Sequence, residues 1–230
     1  MNTLTRRAAL AALAAAAATP ALANHPGENL DARMMEMEQY FQIIDAAAPP
    51  FALQDADGKP VSLSDFDDKI VVLNFIYASC PDVCPLHSEK IAAIQSSIND
   101  GPMKDRVQFI SITTNPVNDT PDVLRDYADL HGLDTSNWVM LTKTPDQPDD
   151  ATRRLAKDYG MEFTMTAESS AMVHGAVTHV IDTGGRLAGK FHGMEFSDVN
   201  LILYVSELIS NGQHRQRESG WWDRVSGIFQ

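Results

Sequence analysis

The sequence predicts an α/β fold in which a central mixed sheet is covered on both faces by helices. Segments with the periodicity of strands alternate with segments with the periodicity of helices along most of the 230 residues, which is typical of a partly parallel sheet. The apolar run IVVLNFIY at 70–77 is rich in β-branched residues, as expected of a central strand that is buried on both faces. A chain of this length suits one domain with a small extension.

The first expected element is a helix over 29–47, because apolar residues recur there at helical spacing. Residues 48–50 (APP) end this helix, since proline cannot continue one. Two short apolar segments, 51–53 and 61–63, then flank an Asp-Gly pair at 57–58, which favours a hairpin turn.

The middle of the chain is expected to alternate strands with helices. After the strand at 70–77, the segment 80–85 opens a helix that reaches about Asn99. A strand is expected at 107–113, and the next helix begins at Thr120 with a capping residue, a proline and an acid in succession. The remaining predicted elements are the end of that helix at Gly132, a short strand at 138–141, a helix at 150–159, a hairpin of 176–182 and 187–191, and a last helix from Ser197 to Ile209.

Residues 1–23 are predicted to be an export signal. They combine a basic start at Arg6 and Arg7, an apolar run over 8–18 and the small-residue sequence Ala-Leu-Ala at 21–23. The apolar run is too short to span a bilayer, which takes about 20 residues. We therefore expect a periplasmic protein. The arginine pair leaves the general and the twin-arginine export routes open, and cleavage or retention of the signal is also open.

The predicted organisation has four parts, which are the export signal at 1–23, an N-terminal helical extension at 24–48, the main domain at 49–211 and an amphipathic C-terminal tail at 212–230. Apolar residues recur at helical spacing in the tail, at Trp221, Trp222, Val225, Ile228 and Phe229. This stripe either packs on the main domain or contacts a membrane surface.

The charge of the chain excludes one class of partner. The sequence has 18 Lys and Arg against 31 Asp and Glu, which gives a formal net charge of −13. Because the phosphate backbone repels so acidic a protein, we expect no nucleic acid partner.

The chain has only two cysteines, Cys80 and Cys84, which are too few for a disulfide scaffold. They follow the most apolar strand, at the sheet edge where reactive groups gather in α/β proteins. Cysteines four apart share one face of a helix, and the positive helix start lowers thiol pKa values. Two such thiolates suit a soft metal such as copper(I) with a histidine as third ligand, or a redox-active disulfide. A structural disulfide is the remaining alternative.

Several motifs between residues 50 and 195 form a recognisable set. They are FAL at 51–53, DGKPV at 57–61, LNFIY at 73–77, SCPDVCP at 79–85, NPVNDTP at 115–121, LTKTP at 141–145 and the segment from His174 to Asp182. This set resembles the Sco/SenC family. The resemblance implies a thioredoxin-like fold and a copper metallochaperone that binds one copper ion and supports assembly of a respiratory copper centre of the cytochrome c oxidase type.

The resemblance also implies which residues bind copper. The ligands would be Cys80, Cys84 and His174, the last of which stands eight residues before Asp182. The implied partners are a subunit of a copper enzyme and a thiol reductant. The alternative function is that of a protein thiol–disulfide oxidoreductase in which Cys80 and Cys84 are the catalytic redox pair. His174 and the three-residue spacer favour metal binding, since an oxidoreductase needs neither.

The chain departs from the family pattern at positions outside the three implied ligands, which are Asn115, His87, Ser88, Met172, Val173 and His179. His179 is expected in the core, whereas His87 is open between a core role, a further ligand and tuning of a thiolate. Met34, Met35 and Met37 either pack in a helix or form a second soft-metal cluster. The sequence leaves the recipient protein, the copper oxidation state and the oligomeric state open.

Overall fold

The computed structural model describes residues 29–161, 164–165, 172–173 and 175–226, with side chains described over 29–161 and 175–212. The predicted export signal at 1–23 and the implied ligand His174 lie outside the described residues.

Within these ranges the chain forms five α-helices and ten strands. The helices are α1 (Leu30–Met37), α2 (Val83–Asn99), α3 (Pro121–Leu130), α4 (Ala151–Asp158) and α5 (Asp198–Ser226), with short 3₁₀ helices at Leu63–Phe66 and Lys104–Arg106. The strands are β1 (Phe41–Ala47), β2 (Ala52–Asp55), β3 (Pro60–Ser62), β4 (Ile70–Ile76), β5 (Val107–Thr113), β6 (Trp138–Thr142), β7 (Thr164–Met165), β8 (Met172–Val173), β9 (Val177–Asp182) and β10 (Arg186–His192).

Eight of the strands form one mixed sheet in the order β1-β10-β9-β4-β5-β6-β2-β3, while β7 and β8 pair with each other. Strands β4, β5 and β6 run parallel, and β9 runs antiparallel to β4. All of β4 is buried, so the prediction of a central strand covered on both faces is confirmed. The predicted mixed α/β fold is confirmed as well.

The two faces of β4 pack against different layers, as the alternation of side chains along a strand requires. Val72 and Ile76 belong to a core shared with α1, α2, α3 and α5. Leu73 and Phe75 belong to a second core, shared with α4 and the β2–β3 hairpin. Because helices cover both faces, we expect reactive side chains at the edge formed by the strand ends.

The predicted helix over 29–47 is wrong in its second half. Helix α1 ends at Met37, and Phe41–Ala47 is an edge strand that pairs antiparallel with β10. The ring of Phe41 lies 5.0 Å from that of Phe191 and packs over Gly189, where a Cβ would overlap it. The pairing partner lies about 150 residues away in sequence, and pairing with it outweighs the local helical periodicity. Part of the predicted helical extension is therefore a strand of the main sheet.

The last helix is longer than the sequence predicts. It was expected to end at Ile209, but α5 continues without a break to Ser226, through Gly212. Its buried residues anchor it to the core; they are Leu201, Tyr204, Val205, Leu208 and Ile209. The helical character predicted for the tail thus holds as far as residue 226. None of the described helices is both long and apolar enough to cross a membrane.

Candidate metal centre

Cys80 and Cys84 lie where β4 leaves the sheet. The strand ends at Ile76, a tight turn follows in which the Cys80 N–H donates to the Tyr77 carbonyl over 3.1 Å, and α2 begins at Val83. Both side chains are buried, Cys80 at 7 % and Cys84 at 2 % exposure, and no disulfide joins them. The expected position at the carboxyl edge of the parallel strands is confirmed.

The two cysteines do not share a helix, contrary to the sequence prediction. Cys80 precedes the capping residue Asp82, and only Cys84 is helical. Asp82 makes no side-chain cap, and the Cys84 N–H instead donates to the Cys80 sulfur over 3.4 Å. The Cys80 sulfur thus accepts from one of the unpaired N–H groups of the first turn, at the positive end of the helix.

The environments of the two thiols push their pKa values in opposite directions. Burial opposes ionisation of Cys80, but hydrogen bonds from the Asp82 and Cys84 backbone, the Cys84 thiol and the Tyr77 hydroxyl outweigh it and lower its pKa. Burial raises the pKa of Cys84, and the neighbouring Cys80 and the charge of Asp119 raise it further. The expectation of two low-pKa thiols is therefore wrong, since a thiolate on Cys80 disfavours a second one beside it.

Two tyrosines line the thiol pair. The Tyr77 hydroxyl is hydrogen-bonded to Cys80, and burial together with this bond raises the tyrosine pKa. Burial also raises the pKa of Tyr127, whose hydroxyl lies 2.9 Å from the Ser88 hydroxyl on α2 and whose charge interaction with both cysteines adds to the shift. Both hydroxyls therefore stay protonated near neutral pH, and the Tyr77 hydroxyl is available to donate to a thiolate.

Asp119 is a buried carboxylate beside this pair that the sequence analysis did not single out. Its Oδ2 accepts from the Ala78 N–H over 3.0 Å and from the Thr113 hydroxyl. Burial raises its pKa, and the two hydrogen bonds act in the opposite direction. Asp119 belongs to the NPVNDTP motif, so the sequence held a signal for it, but its 41-residue separation from Ala78 concealed the contact.

The third implied ligand, His174, lies outside the described residues, but the strand that follows it is placed. Strand β9 runs antiparallel to β4 with Leu73 opposite His179. The beginning of β9 at Val177 therefore lies toward the end of β4, at the sheet edge that carries the cysteines. In the part of the chain that the structure describes, no three His, Cys, Asp or Glu side chains are grouped so that they could hold a metal ion.

Two other histidines are buried in the core. The His87 Nε2 lies 2.8 Å from the Thr178 hydroxyl, which ties α2 to β9. His179 is fully buried, with its ring nitrogens 3.3 Å from the Leu73 and Tyr159 carbonyls, and burial lowers its pKa to about 3. The expectation that His179 is a core residue is confirmed. The more exposed His192 contacts Gln42 on the neighbouring strand β1.

The methionines near the N-terminus differ in their surroundings. Met34 is buried in the core, whereas Met35 and Met37 are each 53 % exposed. His25, which precedes these methionines in the sequence, lies outside the described residues. The packing alternative therefore holds for Met34. In the tail, Trp221 and Trp222 lie in the helical backbone of α5, and Ile228 and Phe229 lie outside the described residues.

The chemistry of the thiol pair fits a soft metal. Two buried sulfurs in hydrogen-bonding contact present adjacent soft donors, and thiolates select copper(I) over hard cations. Both cysteines belong to the large apolar core cluster that also contains Ile91 and Phe196 and is nearly inaccessible to water. A dry thiol pair of this kind also suits disulfide chemistry, because both reactions begin from a thiolate.

Comparison with known proteins gives a consistent set of relatives. A family model described as SCO1/SenC matches residues 42–209. The SCO2-like protein RP587 of Rickettsia prowazekii is 28% identical over 145 residues, covering 62% of this chain and 68% of the relative. The mitochondrial protein SCO2 of Saccharomyces cerevisiae is 28% identical over 192 residues, covering 77% of this chain and 58% of the relative, so the chain spans less than two thirds of that protein.

Solved structures agree with this result. A SCO1/SenC family lipoprotein from Bacillus anthracis superimposes with a TM-score of 0.65 at 25% identity, covering 73% of this chain and 97% of the other. The ScoI protein of Bradyrhizobium japonicum, solved with copper bound, gives a TM-score of 0.56 at 25% identity, covering 71% and 98%. The thioredoxin-like fold implied by the resemblance is confirmed.

Proposed function

The chain belongs to the SCO1/SenC family, and from that premise we propose that it is a copper metallochaperone that binds one copper ion through Cys80, Cys84 and His174. The observation that carries the proposal is the hydrogen-bonding contact between two buried thiols at the carboxyl edge of the sheet. The start of β9 at this edge supports His174 as the third ligand. Two thiolates and one imidazole form a trigonal donor set that copper(I) accepts.

The unequal thiols set the order of events on binding. Cys80 ionises more readily and is the more exposed of the two, so it makes the first bond to incoming copper(I). Cys84 keeps its proton until the cation arrives and releases it on binding. Copper binding therefore releases protons at neutral pH. Transfer to a partner follows by ligand exchange, in which the partner's thiolate replaces one ligand of this chain at a time.

We propose a subunit of a respiratory copper enzyme, of the cytochrome c oxidase type, as the recipient, and a thiol reductant that keeps Cys80 and Cys84 reduced. The support for the recipient is family membership, together with a structural neighbour, BsSco, that is described as a member of the Sco family of cytochrome c oxidase assembly proteins. The predicted export signal at 1–23 supports a periplasmic location.

The test of the ligand set is an anaerobic copper(I) titration of the reduced protein and its variants. Cys80→Ser and Cys84→Ser should abolish stoichiometric binding, and His174→Ala should weaken it by at least about tenfold, because each removes one donor. The matched control is His192→Ala, a histidine on β10 hydrogen-bonded to β1, which should bind like the parent. Parent-like titration of all three ligand variants would overturn the assignment.

A second function is favoured by the same asymmetry of the thiols. As an oxidoreductase, the Cys80 thiolate attacks a sulfur of a partner's disulfide, and the partner's other sulfur leaves as a thiolate that takes up a proton. Cys84 then gives up its proton and attacks the Cys80 sulfur, which releases the partner's second thiol and leaves a Cys80–Cys84 disulfide. Disulfide reduction by protein that binds no copper would favour this function over the first.

The tail carries a finer proposal, a membrane-surface contact through Trp221, Trp222, Ile228 and Phe229. Three observations support it: the apolar stripe in the sequence, the continuous helix to residue 226, and the basic residues of the tail, which stand out because the chain as a whole is acidic. Full-length protein should co-sediment with anionic liposomes, whereas protein truncated after residue 212 should remain in the supernatant. Equal partitioning of both forms would end this proposal.

A further inference from the structure

We propose that Asp119 is a positioning residue that holds the 77–80 turn, and with it the Cys80 sulfur, in the geometry that captures copper(I). The inference rests on the proposed function and assigns a role to a side chain that is not itself a ligand. Asp119 lies in the loop between β5 and α3, and β5 is the neighbour of β4, the strand that precedes the cysteines.

The carboxylate links the ends of two parallel strands. Asp119 is 1 % exposed. Its Oδ2 accepts from the backbone N–H of Ala78, in the turn after β4, and from the hydroxyl of Thr113, the last residue of β5. Ala78 lies inside the turn that the Cys80 N–H closes onto the Tyr77 carbonyl. One oxygen therefore fixes the middle of the turn to the neighbouring strand.

The loop that carries Asp119 is itself held firmly. The Asp119 N–H donates to the Asn115 carbonyl over 2.9 Å, and the Thr114 N–H and hydroxyl both donate to the Ile76 carbonyl, over 2.8 and 3.1 Å. The next residue, Thr120, caps α3 through its hydroxyl, as the sequence predicted. Because its loop is anchored in this way, Asp119 holds the 77–80 turn in a fixed position relative to β5 and α3.

The position of the 77–80 turn determines the position of the Cys80 sulfur. The Cys80 sulfur accepts the Cys84 N–H at the start of α2, and this contact requires the turn and the helix to keep a fixed separation. Without the carboxylate, the Ala78 N–H loses its acceptor and the turn is free to move. Binding of copper(I) would then include the free-energy cost of ordering the turn, and the affinity for copper(I) would fall. Replacing a residue that orients a metal ligand without binding the metal typically lowers metal affinity by about 10- to 100-fold.

The test compares Asp119→Ala with Asp119→Asn. Asparagine keeps one oxygen that can accept from Ala78, whereas alanine keeps none. In metal-free protein, hydrogen exchange at the Ala78 and Cys80 amides, followed by NMR, should accelerate at least about tenfold in the alanine variant and stay near the parent rate in the asparagine variant. Copper(I) affinity, measured by competition with a chromophoric chelator, should fall about 10- to 100-fold with alanine and less than about threefold with asparagine.

The control is Asn137→Ala, which removes a buried polar side chain that hydrogen-bonds α2 at Gln95 and Asn99, near the start of β6 and away from the cysteines. It should lower the urea midpoint while leaving copper(I) affinity at the parent value.

Parent-like exchange and affinity in Asp119→Ala would overturn the positioning role, as would equal losses in the alanine and asparagine variants. If the alanine variant does not fold, the test uses Thr113→Val and Asp119→Asn. Parent-like amide exchange rates and copper(I) affinity in both variants support the acceptor role of the remaining oxygen. A tenfold loss of copper(I) affinity in Asp119→Asn refutes it. A parent that binds no copper(I) would refute the proposed function instead, and the amide exchange rates would still decide whether Asp119 holds the turn.

Discussion

Acid should destabilise this protein through one buried imidazole, that of His179. The ring is fully buried among aromatic side chains, 5.2 Å from the ring of Tyr159 and 5.8 Å from that of Phe75. Burial, with the charge of Lys190 adding to it, lowers the pKa from 6.5 to about 3, although hydrogen bonds to two carbonyls oppose the shift. The native protein therefore excludes a proton that the unfolded chain takes up.

The sign and size of the effect follow from proton linkage. Because the native pKa of His179 lies below its unfolded value, the stability it allows is complete above pH 6.5 and is lost as the pH falls toward 3. One proton corresponds to about 1.4 kcal/mol per pH unit within this range. Between pH 7.5 and pH 5.0 the free energy of unfolding should fall by about 2 kcal/mol on account of this residue alone.

The assay is urea denaturation of the parent and of His179→Gln, a side chain that does not titrate, at several pH values between 7.5 and 5.0. The difference in unfolding free energy between the two proteins should change by about 2 kcal/mol over this range in favour of the variant. The half-exposed His192, whose pKa burial also lowers, provides a comparison: its Gln variant should produce a much smaller change. Parallel pH profiles for the parent and His179→Gln would refute the reasoning.

The remaining predictions concern thiol reactivity and strand packing. At neutral pH, iodoacetamide should modify Cys80 at least about tenfold faster than Cys84, because their pKa values are shifted in opposite directions; mass spectrometry after limited labelling measures this, and equal rates would contradict it. Tyr77→Phe should slow the Cys80 reaction about threefold, since the thiolate loses a hydrogen bond, and an unchanged rate would show that the hydroxyl does not act on the sulfur. Gly189→Ala should cost about 1–3 kcal/mol in urea denaturation, because the new methyl group would overlap the ring packed across from it, whereas Gly101→Ala, with its nearest contact at 3.6 Å, should stay within about 0.5 kcal/mol of the parent.

The sequence predicted the elements whose signals are local. The apolar run of β4 needs no distant partner to be recognised, and it places the cysteines at the carboxyl edge of the sheet. Thr120 carries its own capping signal and does begin a helix. By contrast, β1 is a strand because it pairs with β10, and its spacing of apolar residues is equally compatible with a helix.

The finer arrangement of the site depends on contacts that sequence spacing does not contain. The four-residue spacing of Cys80 and Cys84 predicts one helical face, but the helix begins after Cys80, whose sulfur accepts a hydrogen bond from the first turn instead. The unequal pKa values follow from burial, which raises the pKa of Cys84, and from the backbone hydrogen bonds of Asp82 and Cys84, which lower that of Cys80. The contact of Asp119 with Ala78 arises because β4 and β5 are neighbours in the sheet, which only the folded topology reveals.

The central claim is that this chain binds copper through the thiol pair and His174, and X-ray absorption on the copper(I)-loaded, reduced protein tests it most directly. We expect one copper ion per chain with two sulfur ligands and one nitrogen ligand, and loss of one sulfur from the spectrum of any residual copper in Cys84→Ser. A parent spectrum without sulfur ligands, or one that is unchanged when either Cys80 or Cys84 is replaced by serine, would contradict the account.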